Sequence, residues 1–181
     1  MPERQSFKNQ FLVSLPALAG DYFQSTVSLL VEHDAQGAFG LVINKPLDNE
    51  IADIFPQLEG RFVCPLLQGG PVERDRVFFL HPTGIEFDTT LQISDEISLT
   101  TSADFIESMK SGEAPEKTLA LLGYAGWAAE QLEHELAEDV WLLAPASARI
   151  VFDEPYESRA DAAARLLGVD LNLINPHAGH D

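Results

Sequence analysis

Short, nearly unbroken apolar runs dominate the chain. Those at 11–15, 26–32, 39–44, 62–67, 77–80, 91–94, 97–100, 119–122, 140–143 and 149–152 are rich in Val, Ile, Leu and Phe and bounded by Gly, Pro, Asn or Asp, the signature of β-strands. The second and third runs are separated by His33-Asp34-Ala35-Gln36-Gly37, five residues with a glycine. That is a hairpin connection, too short for a crossover helix, so much of the sheet is antiparallel. Helical spacing interrupts the strands at four places. Asp48 caps a short helix through Phe55 that buries Ile51, Ile54 and Phe55. Thr101 or Ser102 caps a second through Lys110, with Asp104 in its first turn, Phe105, Ile106 and Met109 inward and Gly112 at its end. A third spans 127–137, with Ala128, Leu132 and Leu136 as its buried stripe. Ser158 and Asp161 open a fourth, which buries Ala162, Leu166 and Leu167 and stops at Gly168. Strands with helices inserted irregularly predict an α+β fold. No repeat or linker divides the sequence, so residues 1–181 form one domain with flexible tails at 1–8 and 175–181.

Composition adds two restrictions. A chain of 181 residues, 45% hydrophobic and 22% charged, buries about 70% of its extended surface and needs no covalent staple. Eleven Lys and Arg against 29 Asp and Glu leave a net charge of −18, which disfavours direct nucleic-acid binding and anionic membranes, since both depend on cations meeting phosphates. The single Cys64 excludes an intramolecular disulfide and any Cys-based metal cluster held within one chain. The longest apolar stretch, 119–129, is broken by Gly123 and Gly126 and falls short of the ~18 residues of a membrane span. Arg4 and Lys8 ahead of 11–15, with Ala17-Leu18-Ala19 behind, imitate a secretory signal. Pro16 ends the apolar run after five residues, and the segment is instead a first strand entering a turn at Pro16 and Gly20. A cytoplasmic location is the expectation.

Common catalytic signatures are missing: the chain holds no GxxxxGK[ST], GxGxxG, GxSxG or HExxH. His177 and His180 stand beside Pro176 and Gly179 in a polar tail rather than on a metal-binding helix. His81 closes an apolar strand and is expected to be a buried, hydrogen-bonded imidazole. Cys64 has no cationic neighbour and is expected to be a structural thiol. The five acidic residues of 130–139 fit a solvated helix face. Neither a metal nor a cofactor is indicated. Two stretches ask for more. Gln68-Gly69-Gly70-Pro71-Val72 puts two glycines at a strand end, where another group can approach closely, and Gly123-Tyr124-Ala125-Gly126-Trp127 leads from a strand into the third helix. Side by side, the two turns would form a small apolar pocket. In it the Gly69 and Gly70 amides are the floor, Tyr124 and Trp127 a stacking wall, and Asn44 and Gln131 hydrogen-bonding groups.

Three blocks, Phe11-Leu12-Val13-Ser14-Leu15-Pro16, Ser28-Leu29-Leu30-Val31-Glu32-His33 and Gly37-Ala38-Phe39-Gly40-Leu41-Val42-Ile43-Asn44-Lys45-Pro46, closely resemble the bacterial AlgH/YqgE family. Gly69-Gly70-Pro71-Val72, Arg76 to His81, Leu122-Gly123-Tyr124-Ala125-Gly126-Trp127, Gln131-Leu132-Glu133 and Trp141-Leu142 continue the resemblance over roughly 11–170. It departs at Ala128-Ala129-Glu130, where many members carry a glycine, and at Pro82, where a small polar residue is common. The resemblance implies a strongly bent, mostly antiparallel sheet curled into a barrel-like core with helices around it. Functionally it implies a protein of unknown activity; some members bear the name of transcriptional regulator, tied to alginate production in pseudomonads. The leading expectation is a non-enzymatic cytoplasmic binding or regulatory module for a protein or small-molecule partner. The alternatives are a hydrolase or acyl-transfer enzyme using His33 or His81 as base, with Glu32, Asp34 or Arg76 nearby, and a direct DNA-binding regulator, which the charge disfavours.

Overall fold

A computed structural model of the chain describes residues 6–15, 23–60 and 64–174. Its strands are β1 (Gln10–Ser14), β2 (Val27–Asp34), β3 (Gly37–Val42), β4 (Leu66–Gln68), β5 (Val72–Pro82), β6 (Leu91–Gln92), β7 (Ile97–Thr100), β8 (Leu119–Ala128) and β9 (Trp141–Pro145). They form one sheet in the order β6-β7-β5-β8-β3-β2-β1-β9, with β4 attached to β8 as the parallel pairing in an otherwise antiparallel array. The sheet curls into a half-barrel. Among the described residues the helices are α1 (Ile51–Ile54), α2 (Ala103–Ser111), α3 (Gln131–Ala137), α4 (Ala148–Phe152), α5 (Arg159–Arg165) and α6 (Leu171–Ile174), six rather than four.

The strands are apolar on both sides because both sides are covered. Phe11, Val13, Leu29, Leu41, Phe78, Leu80, Leu99, Leu119 and Leu121 line the concave face, which Ile150 and Val151 of α4 and Ala163 of α5 plug. On the convex face, Phe79 and Ala120 meet Ile51, Phe105 and Met109 under α1 and α2. Further along that face, Leu12, Leu30, Ala125 and Trp127 meet Leu132 of α3 and Trp141. Odd-numbered residues of β8 face the concave side up to Leu121 and the convex side from Ala125 onward. The switch occurs at Gly123, whose φ of +78° inverts the pleat without ending the strand.

Several sequence expectations are corrected. The run 149–152 is α4, because Ser147 caps it by accepting the Ile150 amide at 3.3 Å. The stretch 123–127 continues β8, and the third helix begins only at Gln131. Ile54 is exposed and Phe55 half-buried, since α1 is a single turn preceded by Glu50, whose amide donates to Asp53 at 2.8 Å. Leu166 and Leu167 point outward at 47% and 45% exposure; α5 buries Ala163, Ala164 and Arg159 instead. Ser158 does not cap α5; its hydroxyl donates to Glu154 at 2.7 Å. Residues 6–8, expected in a loose tail, include Phe7 packed on the convex-face cluster. Gly112, by contrast, ends α2 in the left-handed conformation as anticipated. The expected turn at Pro16 and Gly20, the start of the 62–67 run, and His177 and His180 lie outside the described residues.

Candidate functional site

The two glycine-bearing stretches do meet, and backbone fills the space between them. Leu66–Gln68 pair with Ala120–Leu122 on one edge of β8, while Val77–Leu80 pair with Leu119–Leu122 on the other. Three residues, Gly69 to Pro71, therefore carry the chain across β8 from edge to edge. Strands stand about 4.8 Å apart, so the crossing spans about 10 Å, and the four peptide steps from Gln68 to Val72 reach at most about 14 Å. The link lies flat on the strand it crosses. A Cβ on Gly70 would sit 2.0 Å from the Tyr124 carbonyl carbon, one on Gly69 2.5 Å from the Gly123 oxygen, and one on Gly123 2.4 Å from the Gly70 oxygen. The Gly69 amide donates to Leu122 O at 2.7 Å and its carbonyl accepts from Val42 N at 2.7 Å. Both Gly69 and Gly70 are buried.

Past the crossing, β5 bulges away from its partner. Val72 pairs with Tyr124 and Val77 with Leu122, so Glu73-Arg74-Asp75-Arg76 have no counterpart on β8. The four are exposed, Val72 is 38% exposed, and Glu73 is held at φ +46°, a left-handed conformation uncommon outside glycine. The Arg76 guanidinium lies 5.1 Å from the centre of the Phe78 ring and 3.7 Å from the Glu73 carboxylate. Tyr124 sits half-buried behind the bulge, 4.9 Å from Phe39 and 6.1 Å from Phe78 between ring centres. Burial and the adjacent Glu73 hold its phenol above the ordinary tyrosine range, with Arg76 pulling the other way.

The other predicted site residues are occupied by the fold. Asn44 accepts from Val27 N at 3.0 Å and donates to Ser25 O at 2.9 Å, fixing the chain on either side of the β2 start. Gln131 accepts from Ala128 N at 2.9 Å and so ties the head of α3 to the end of β8. Trp127 is buried on the convex face and donates its indole N–H to Glu135 at 3.0 Å. Glu135 also takes the Trp141 indole N–H at 2.8 Å and the Gln131 amide at 2.9 Å. Thus Glu133 and Glu135 leave the solvated face on which the sequence put all five acids of 130–139. Glu135 follows Gln131 by four residues, a local signal; its two tryptophans come from other strands, and no spacing announces them.

In His33 and His81, the two candidate bases, both ring nitrogens are engaged in hydrogen bonds. His81 is fully buried; its Nδ1 donates to Pro82 O at 2.9 Å, and its Nε2 accepts from the Thr100 hydroxyl at 2.8 Å, because a carbonyl can only accept. Thr90, 2.8 Å from Thr100, continues the chain to the Phe87 amide at 2.7 Å. Burial among Phe87 and Phe105 holds His81 below the usual histidine range, the Pro82 bond opposing in part. His33 is buried between Phe7 N and Glu133, at 3.0 and 3.1 Å. Cys64 is buried near Ala120, and burial pushes its thiol up to about 12. Arg159, which the sequence reading overlooked, is buried: it donates to Glu154 O at 2.8 Å and to Ile43 O, and lies 4.6 Å over the Tyr156 ring.

Two adjoining polar clefts, of about 580 and 380 Å³, lie between the β6–β7 connection and the start of α4; both are lined by Asp95, Glu96, Ala148 and Arg149. A smaller one of about 220 Å³ opens beside α1, Cys64 and Tyr156. Among the described residues no group of three or more His, Cys, Asp or Glu is placed to hold a metal ion, and no helix is long and apolar enough to cross a membrane.

An open antiparallel half-barrel, plugged by helices and clasped at β8 by a glycine crossing, defines the class of protein. The chain belongs to the AlgH-like family (DUF179), whose model matches residues 11–172. It is 44% identical over 180 residues to the UPF0301 protein AlgH of Pseudomonas aeruginosa, covering 96% of this chain and 95% of that one. To a UPF0301 protein of Nitrosospira multiformis it is 41% identical, covering 95% and 96%. The solution structure of the Pseudomonas aeruginosa AlgH protein superposes with a TM-score of 0.79 over the whole of both chains at 42% identity. A crystal structure of protein DIP2367 from Corynebacterium diphtheriae shares the fold, with a TM-score of 0.78 at 19% identity, over 97% of this chain and 94% of that one.

Proposed function

We propose that this protein is a non-enzymatic cytoplasmic binding or regulatory module, acting on a protein or small-molecule partner through the β5 bulge and the Tyr124 side chain behind it. The observation that carries the reading is the bulge itself. Five consecutive exposed residues, Val72 to Arg76, follow a short backbone crossing packed closely on β8, and Glu73 keeps a left-handed conformation there. An exposed segment held rigidly on a scaffold, mixing an apolar residue, two arginines and two carboxylates with a tyrosine, is suited to recognition at little ordering cost. The two candidate bases, His33 and His81, spend their ring nitrogens on structural hydrogen bonds, which favours binding over acid–base catalysis. The net charge of −18 favours regulation through a partner over contact with an operator.

Asn44 and Gln131 hold the fold and are poor probes; the bulge is the clean target. A Val72→Ser/Arg74→Ser/Arg76→Ser variant retains the wild-type melting temperature and loses the partners or small molecules that the wild type captures from its own lysate. The bound species shifts the amide signals of Val72 to Val77 and Tyr124. Retention of the same species by the folded variant overturns the assignment.

A further inference from the structure

His33 joins the first described residues to the body of the protein. Its Nδ1 accepts the Phe7 amide N–H at 3.0 Å, and its Nε2 lies 3.1 Å from Glu133 Oε2. An amide N–H can only donate and an ionised carboxylate only accept, so Nδ1 carries the lone pair and Nε2 the proton. The neutral ring is thereby satisfied on both sides. The Phe7 ring stacks on the imidazole with centres 4.7 Å apart and planes 23° from parallel, and Ser6 Oγ donates to the His33 carbonyl at 3.1 Å. Beyond the imidazole, Phe7 packs against the convex-face cluster that contains Leu30, Trp127 and Leu132.

We propose that the segment around Phe7 is a strap latched by neutral His33 and released when the ring takes up a second proton. The proton comes from solvent and binds the Nδ1 lone pair. The Phe7 N–H then faces another N–H, and that hydrogen bond is lost. Glu133 keeps its bond to Nε2–H, which becomes an ion pair, so the ring stays in place while the strap leaves. The groups around the ring fit this division of roles. Among the described residues, α3 contributes Glu133 in contact and the exposed His134 next to it. The strap contributes Ser6, Phe7 and the exposed Lys8, and β3 contributes Ala38, the cross-strand partner. Glu32 and Asp34, the neighbours on β2, are exposed while His33 is buried, as alternation along a strand requires. Docking needs the neutral ring, so proton uptake and strap release are one linked event. Release uncovers the His33–Glu133 pair and the apolar rim beside it.

The test is a nuclear magnetic resonance titration of the full chain from pH 8 to pH 5, the range in which histidines ordinarily change charge. The His33 Cε1–H shift and the Phe7 amide shift are expected to move with one midpoint. Over the same range the protection of the Phe7 amide, corrected for its intrinsic exchange rate, falls at least about tenfold, the equivalent of one net hydrogen bond. In His33→Gln, which takes up no proton in this range, the Phe7 signals stay flat. Three results each overturn the proposal: His33 titrates while Phe7 keeps its shift and protection, His33 does not titrate down to pH 5, or Phe7 shows the wild-type profile in His33→Gln. Should that variant not fold, the co-titration in the wild type decides alone.

Discussion

Gly70→Ala puts a methyl group where the chain crosses itself. The new Cβ would lie 2.0 Å from Tyr124 C, 2.1 Å from Tyr124 O and 2.5 Å from Ala125 N, whereas real Cβ atoms essentially never approach within 3.0 Å. Relief therefore takes about 1 Å of movement between two backbone segments. Neither segment is loose: Tyr124 pairs with Val72 on one edge and Ala125 with Gly40 on the other. Overpacking against side chains that can adjust costs about 1–3 kcal/mol, and backbone that cannot adjust puts this site at or above about 3 kcal/mol. For a chain of this length that corresponds to a fall of about 6–12 °C in melting temperature. Gly126→Ala is the matched control. It lies on the same strand and is exposed, and its added Cβ would meet only Tyr124 Cε2 at 3.5 Å, an ordinary contact. A strand alanine there changes stability by less than about 1 kcal/mol, in the stabilising direction because the unfolded chain loses freedom. Thermal and urea unfolding of the two variants beside the wild type check the reasoning. If Gly70→Ala melts within about 2 °C of the wild type, the crossing is not the tight contact described and the account of the paired glycines fails.

Other expectations concern buried polar groups. Glu135→Ala strands the Trp127 and Trp141 indole N–H groups and destabilises by about 2–4 kcal/mol, with Glu135→Gln milder; denaturant unfolding followed by tryptophan fluorescence measures both, and equal stability of all three proteins refutes the shared anchor. His81 titrates below its unfolded value of about 6.5, so below that pH the unfolded chain binds a proton that the folded chain refuses, and stability falls as pH drops until the folded value is reached. His81→Gln removes that contribution, and its unfolding free energy between pH 7 and pH 5 declines less steeply than the wild type's. Parallel slopes would contradict the buried neutral imidazole. With its thiol pushed up to about 12, Cys64 reacts slowly with a disulfide reagent at pH 8 in the native state and at once in denaturant. Full native reaction within the mixing time argues against that burial.

The strands were legible because their composition is extreme, and the antiparallel order because connections such as 33–37 leave no room for a helix. The curl, with helices around it, was reached through family resemblance, since no local pattern encodes how a sheet with two buried faces bends; that α4 and α5 plug its concave face was not. The run 149–152, with Ile150, Val151 and Phe152, has strand-like composition; one hydroxyl, Ser147, starts a helix there, and a cap outweighed propensity. Gly69, Gly70 and Gly123 announced that something approaches the backbone closely. Only the pairing of β4 and β5 with opposite edges of β8 says that the visitor is the protein's own chain. Glu135 looked like one more solvated acid because Trp127 and Trp141, eight residues before it and six after, reach it from β8 and β9 rather than along the helix face.

The crossing also bears on the order of assembly. β8 begins about 50 residues after Gly70 in the chain, yet Gly69 to Pro71 straddle it and hold a partner strand on either edge. The clasp precedes in the sequence the strand it straddles, and its two arms gain their β8 pairings only when that strand is in place. Once seated, β8 cannot be peeled from one neighbour while the other waits, for the short link moves both together. Such a device joins distant parts of the chain into one kinetic unit. Folding is slowed by the long loop that must close, and opening of the half-barrel at β8 becomes an all-or-none event.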